Sequence, residues 1–418
     1  MSHPKMGPFA AMLLSINTII GAGVFINAAP LTRLGGSLGF VGYLFAALAM
    51  FPVILCLSSF CSVRPQAGGL YIYAKEFLHP VAGFVSGWSY FVGKTMGAAL
   101  LAHVFVAFFY RQSPVMQAIP LFVWDCGLIF LLAAINSLGV RIGGRIQWLF
   151  IALKVVPLAF AMVAGWFETA YSDPAVIVPE FFELMRTLPI AIFAFSSFEV
   201  TCTIAHLIQD AEQNVKRIMI GSSLVALAVY IAFQTSLYSA LGADLGNVSS
   251  PFMLIGQRFF PDTLWLGIFV NRVMFASVVS ASFGILTNNC WNLQVLARDG
   301  FFPKVFAQIN DAHVPWVSLV AEAGLACLVL GLTTEQIPLQ NMAVMSFVTC
   351  YLINMIAAFK VRWQGISEQM PLWISGAGIA SCMYIIFLCT AKIAQVGLSL
   401  PFFMVFGIGL LALMRQRA

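Results

Sequence analysis

Two short stretches carry residue types suited to holding small charged groups. In Ile19-Ile20-Gly21-Ala22-Gly23-Val24-Phe25, two glycines interrupt an apolar run long enough to cross a bilayer. Each glycine costs a helix about 1 kcal/mol relative to alanine, and an unpaired backbone group in hydrocarbon costs several kcal/mol. A helix broken there exposes N–H groups at the start of one half and C=O groups at the end of the other. Those ends suit a carboxylate, and an ammonium or other cation, respectively. A Gly-x-Gly that only admits a neighbouring helix is an equal alternative. The second stretch, Leu188 to Val200, places Ser196, Ser197 and Glu199 near the middle of another apolar run. A carboxylate at that depth costs about 2.5–3.5 kcal/mol, and serine hydroxyls can satisfy backbone groups freed by a break. The rival there is a continuous helix with Glu199 paired to a neighbour. Lys94, Asp125, Lys154, Arg272 and Glu322 also fall inside apolar runs. Such charges face a cavity or each other, and the sequence does not pair them. No nucleophile–base pair and no Cys/His cluster with metal spacing accompanies them, so neither a membrane enzyme nor a metal or cofactor site is expected. His103 and His206 read as packing or helix-end residues, with nothing clustered around them.

The elements that must position these groups are membrane helices. The chain is 61% hydrophobic and 9% charged, with mean hydropathy +0.94, whereas soluble domains carry about 25% charged residues. A span needs about 20 apolar residues, which gives about twelve: 8–29, 40–62, 81–110, 115–138, 146–167, 188–207, 218–241, 264–288, 314–332, 342–359, 372–391 and 396–414. The first is too long for a secretory signal and many spans follow it. The nine cysteines lie almost all within apolar runs without a C-x-x-C pair and read as small packing residues, not disulfides or ligands. With the N-terminus inside, thirteen Lys and Arg fall in cytoplasmic segments and five outside, with Lys94, Lys154 and Arg272 in spans. This bias puts both termini in the cytoplasm and makes the net charge of +5 a topology signal, not a nucleic-acid footprint. Two long loops, 61–80 and 242–263, each have room for a short surface helix. They lie on opposite sides of the membrane with five spans between them, as two five-helix units of opposite insertion would give. Such a repeat demands that the sixth span break where the first does, and Ser196–Glu199 is polar at that place.

Here a family resemblance becomes specific. Ile20-Gly21-Ala22-Gly23-Val24-Phe25 followed by Pro30 resembles the first-helix signature of the amino acid–polyamine–organocation permeases. Pro65-x-x-Gly68-Gly69-x-Tyr71-x-Tyr73, then Gly83-Phe84 and Gly87-Trp88, resembles the approach to that family's third helix. Lys154-Val155-Val156-Pro157 is similar to its fifth helix, Phe193 to Glu199 to its sixth, and Ala297-Arg298-Asp299-Gly300-x-x-Pro303 with Pro315 to the turn after its eighth. The matches run in order from helix one to the start of helix nine.

The resemblance implies an all-α polytopic protein of the leucine-transporter-type fold, with two inverted five-helix repeats (1–167 and 188–360), two additional helices (371–414), and helices one and six broken. It implies that backbone N–H groups of Gly21, Ala22 and Gly23 hold a substrate carboxylate. Carbonyls of Ile19, Phe193 and Ser196 hold the ammonium, and Phe193 covers the substrate. The Glu199 position couples the sixth helix to its neighbours. At Lys154, a lysine in some members reaches the first break, where sodium-coupled relatives bind a cation. Lys154 is then either a proton carrier or a fixed strut. The chain departs from the pattern at Ala22, where serine is common, at Ser197, which replaces a glycine and reaches φ > 0 less easily, and in 210–217, which lacks the usual prolines. A shifted or milder second break is therefore expected.

The resulting reading is a secondary transporter of amino acids by alternating access, either proton symport through Lys154 or exchange. The substrate sits between Gly21–Gly23 and Phe195–Ser197, and a neutral amino acid is favoured. Lys94, one turn before Gly97, would disfavour basic substrates, or else pairs with an acid. Alternatives are an exchanger of cationic amino acids or polyamines and a non-transporting sensor or scaffold of transporter descent. The expected partners are the substrate, a proton or counter-substrate, and the bilayer, with the last two helices packing or forming a homodimer. The short termini favour a bacterial cytoplasmic (inner) membrane.

Overall fold

The computed structural model describes residues 5–63, 69–139, 153–165, 179–365, 371–393 and Gly407. Those residues are almost wholly helical. In chain order the α-helices are α1 (Pro8–Ile19), α2 (Gly23–Gly35), α3 (Val41–Val63), α4 (Gly69–Phe77), α5 (Pro80–Gln112), α6 (Pro114–Gln117) and α7 (Leu121–Ser137). Then follow α8 (Leu153–Gly165), α9 (Phe181–Met185), α10 (Leu188–Phe195), α11 (Val200–Thr203), α12 (Ala211–Leu241) and α13 (Pro251–Phe259). The last are α14 (Leu264–Arg298), α15 (Trp316–Leu332), α16 (Gln336–Trp363) and α17 (Leu372–Ile393).

Among the described residues, seven stretches are long and apolar enough to cross a membrane, and the bent pair α1–α2 makes an eighth. The shorter apolar helices α7, α8 and α15 fall in three more expected spans. Residues 146–152 of the fifth span and nearly all of the twelfth, 396–414, lie outside the described residues. Both long loops contain their short helix, α4 in one and α13 in the other. Large apolar side chains such as Leu48, Trp265 and Phe387 face outward, which suits a lipid solvent.

Local chemistry sets the helix ends. Prolines open α1, α5 and α13, where a missing N–H costs nothing. The His79 ring Nδ1 caps α5 by accepting from Val81 N–H at 3.2 Å. Pro30 lies inside α2 and cannot donate to the carbonyl one turn back. Gln336 Nε2 donates to that carbonyl, Ile26 O, at 2.8 Å instead.

The cysteine reading needs one correction. Cys61, at the end of α3, and Cys202, in α11, form a disulfide with Cα atoms 5.3 Å apart. They are 141 residues apart in sequence, and only the packing of α11 against the end of α3 brings them together. The other cysteines among the described residues are free and mostly buried.

Candidate functional site

The first break is built by Ile20, Gly21 and Ala22. The axis bends by 44° between α1 and the helix that follows. Gly21 N–H turns back to Ile19 O at 2.7 Å. The N–H groups of Ala22, Gly23 and Val24 have no acceptor among the described residues, and α2 has no side-chain cap. The positive end of a helix is therefore bare at membrane depth. The two glycines act differently. A Cβ on Gly21 would meet only the Thr18 and Ile19 carbonyls, at 3.8 Å. A Cβ on Gly23 would sit 2.7 Å from Ala194 Cα. Gly21 thus opens the break, and Gly23 lets α2 lie directly on α10.

The second break runs from Ser196 to Glu199, between α10 and α11. The backbone leaves helical geometry there, with Ser197 at φ +124°, a conformation normally left to glycine, yet Phe181–Thr203 still passes as one span, so this break is milder than the 44° bend at the first. Beyond it α11 is a single turn. Glu199 holds this geometry. Its Oε2 accepts from Ser197 N–H at 3.0 Å and from Tyr351 O–H at 2.9 Å. Its Oε1 accepts from Tyr90 O–H at 2.9 Å and pairs with Lys94 Nζ at 3.1 Å. Both sequence alternatives hold at once: the helix is broken, and the carboxylate is paired.

Tyr230 was not among the residues singled out from sequence. Its hydroxyl lies 2.6 Å from Ile19 O and 2.8 Å from Ala194 O, with one proton to donate between the carbonyl ends of the two broken helices. A lone tyrosine in an apolar run carries no signal. Phe193 O, expected as an ammonium ligand, accepts from Ser196 Oγ at 2.7 Å. The Phe193 ring flanks Gly97, 3.7 Å from where a Cβ would stand. Phe195 is buried, and its ring packs on Tyr43 and Tyr230. Lys154 on α8 donates to Asn17 O and Ile20 O, both at 3.1 Å, and so caps the C-terminal end of α1 with a cation. The first break therefore leaves a bare helix start on one side and a lysine-capped carbonyl end on the other.

The sequence profile of the amino acid permease family matches residues 10–408. This chain belongs to that family. It is also similar to an L-asparagine permease of Salmonella typhimurium, at 22% identity over 94% of this chain and 83% of the relative. The permease is a multi-pass membrane protein of amino acid transport, not an enzyme.

Two of the other intramembrane charges, Asp125 and Glu322, find partners that sequence could not assign. Asp125 Oδ2 lies 2.8 Å from His103 Nδ1, so His103 is not an isolated packing residue. Glu322 is fully buried on α15 and accepts from Asn289 Nδ2 at 2.9 Å. Arg272 is exposed on the outer surface of α14, where a long side chain can reach toward the headgroups. His206 is exposed in a short helix after α11. No cluster able to hold a metal occurs among the described residues.

A cavity of about 40 Å³, lined among others by Gly69, Tyr71, Tyr90, Glu199, Thr203 and Asn292, runs from α4 to the second break. Beside it, at the lining residue Tyr71, Asp299 Oδ2 accepts from Tyr71 O–H and Lys75 Nζ, both at 2.6 Å. Partial burial pushes the Asp299 carboxyl upward. The hydrogen bonds from Lys75 and Tyr71 and the charges of Lys75 and Arg298 outweigh that and hold it below the usual carboxylate range. Burial, and then the bond to Asp299, push the Tyr71 hydroxyl well up, so it stays a donor.

Proposed function

We propose that the permease is a secondary active transporter that moves a neutral amino acid by alternating access. The fold in this reading is leucine-transporter-type, with inverted five-helix repeats at 1–167 and 188–360 and additional helices in 371–414. The observation that carries it is the bare N–H end of α2 at Ala22–Val24, set beside the second break at Ser196–Glu199. The N–H groups suit a substrate carboxylate, and the carbonyl ends of α1 and α10, which Tyr230 draws together, suit its ammonium. Ser196 and Ser197 stand at the edge of that space with Phe193 over it. The relative's printed substrate, L-asparagine, is neutral, which supports this reading. Lys154 is the coupling residue or a fixed strut, and Glu199 belongs to the gate. Both termini face the cytoplasm of a bacterium, and α17 offers a face for packing or a homodimer.

The test is uptake of labelled alanine, asparagine and leucine into proteoliposomes. An imposed proton gradient across empty vesicles is compared with amino-acid-loaded vesicles at symmetrical pH. Gradient-driven accumulation supports symport through Lys154. Uptake only into loaded vesicles makes the permease an exchanger with Lys154 as a strut. No uptake in either arm, from protein shown to be folded, overturns transport in favour of a sensor of transporter descent.

A further inference from the structure

The relation between Lys94 and Glu199 says more than that a buried charge is paired. Lys94 lies on α5 and Glu199 in the second break, and their side chains are 8% and 1% exposed. The ammonium has three N–H groups to place. One faces Glu199 Oε1 at 3.1 Å, and one donates to Ser197 Oγ at 3.0 Å. The nitrogen also stands 5.2 Å from the Tyr90 ring centroid and 4.9 Å from that of Phe347, which gives the remaining positive edge two aromatic faces. The carboxylate is equally complete, with donors on both oxygens. This pair needs nothing from a ligand.

Its position is what matters. Ser197 belongs to the break that the proposed substrate would touch. Three residues along α5 from Lys94, a rise of about 4.5 Å, Gly97 lies beside the Phe193 ring. On the opposite side the cavity from α4 ends at Tyr90 and Glu199. Lys94 thus stands between Ser197, in the break that the proposed substrate would touch, and the Glu199 carboxylate.

We infer that Lys94 is the charge-selectivity residue of the permease: it occupies the place that the side-chain cation of a basic amino acid or polyamine would take against Glu199, and so restricts the site to substrates with uncharged side chains. The selection is by repulsion and by prior occupancy. A second cation at this point meets an ammonium in a poorly solvated site and gains no free carboxylate. Removing the ammonium leaves Glu199 buried without a cation, and a basic substrate supplies one. The inference rests on the transport reading above.

The experiment uses the full-length permease in proteoliposomes and measures inhibition of labelled alanine, asparagine and leucine uptake by lysine, arginine and putrescine. Wild type should be insensitive to these cations. Lys94→Met should become sensitive, with at least a roughly tenfold gain in apparent affinity for them, equivalent to about 1.4 kcal/mol. Because Glu199 belongs to the gate, its variants are read by binding, as thermal stabilisation of purified protein in detergent. Lys94→Met should be stabilised by the cations and the double variant Lys94→Met/Glu199→Gln should not, because the carboxylate is gone. Glu199→Gln alone leaves Lys94 unpaired and should be stabilised by aspartate and glutamate instead. If Lys94→Met does not yield folded protein, this reciprocal arm decides.

Strong inhibition of wild type by cations overturns the inference and leaves transport standing. So does a folded Lys94→Met that carries neutral substrates and still ignores cations, or, where that variant is lost, a folded Glu199→Gln that ignores acidic amino acids. A wild type that carries no amino acid at all overturns the transport reading, and this inference with it.

Discussion

Ser197 holds φ +124° although it carries a Cβ. Such strain costs about 1–3 kcal/mol and persists only where the surroundings impose it. Here the imposing contacts are its N–H to Glu199 and its hydroxyl to Lys94. Substitutions separate the two effects. Ser197→Ala keeps the strain and loses the hydroxyl that accepts from a buried ammonium, so it should destabilise by about 1–3 kcal/mol. Ser197→Gly loses the same hydroxyl but relieves the strain, so it should unfold at a higher temperature than the alanine variant. That order reverses the usual helix ranking. Thermal unfolding in detergent reads it directly, and an alanine variant as stable as glycine would show that the backbone at 197 is not strained. Lys154 is the second residue whose removal has a defined outcome. Without its Nζ, Asn17 O and Ile20 O lose their donor at the end of α1. Lys154→Ala should reduce net uptake to background. Full uptake with unchanged pH dependence in that variant would remove Lys154 from the mechanism.

At the scale of elements, α4 and the turn after α14 are joined beside the cavity by Tyr71, Lys75 and Asp299. Lys75 is over one-third exposed, so the ion pair contributes no more than about 1 kcal/mol. Its pH dependence has a definite sign. The folded carboxyl of Asp299 is held below its ordinary value. Its contribution is therefore complete above the unfolded carboxylate pKa, about 3.9, and is lost as pH falls through the lower folded value. Asp299→Asn should speed amide hydrogen exchange in α4 at neutral pH, and the difference from wild type should close under acid. A difference that persists at low pH would mean the carboxyl is not what fastens α4. How much of this was legible in sequence follows from range. The first break was readable because two glycines in an apolar run are a local signal. The second was readable from Ser196, Ser197 and Glu199 for the same reason, and α4 and α13 from loop length. Tyr230 on two carbonyls, Lys94 on Glu199, His103 on Asp125 and the Cys61–Cys202 bond were not readable. Each depends on how helices far apart in sequence pack, and one apolar-looking helix presents many faces that could carry such a contact.

At the scale of the molecule, the two broken helices are fastened directly to each other as well as to α5 and α16. Ser15 Oγ lies 2.9 Å from Thr201 Oγ1, joining α1 to α11. Gly23 packs on Ala194, and Tyr230 spans both carbonyl ends. Met6 N–H donates to Leu207 O, and Gln209 N–H to Met6 O, clasping the N-terminal segment to the residues after α11. The disulfide adds α3 to the same body. Bonds to α16 have another character, since Gln340 Nε2 donates to Asn27 Oδ1 at 2.8 Å and Tyr351 to Glu199. If the broken helices rock together against α5 and α16, bonds of the first kind survive the cycle and those of the second kind must part. In a permease whose native cysteines are replaced, bridging Ser15→Cys to Thr201→Cys should leave amino acid uptake running. Bridging Asn27→Cys to Gln340→Cys with a short bifunctional thiol reagent should stop it, and reversal of the bridge should restore it. A Ser15–Thr201 bridge that also stops uptake would mean that the two breaks move apart during transport, and that the zwitterion is released by separating α1 from α11 rather than by moving both away from α5 and α16.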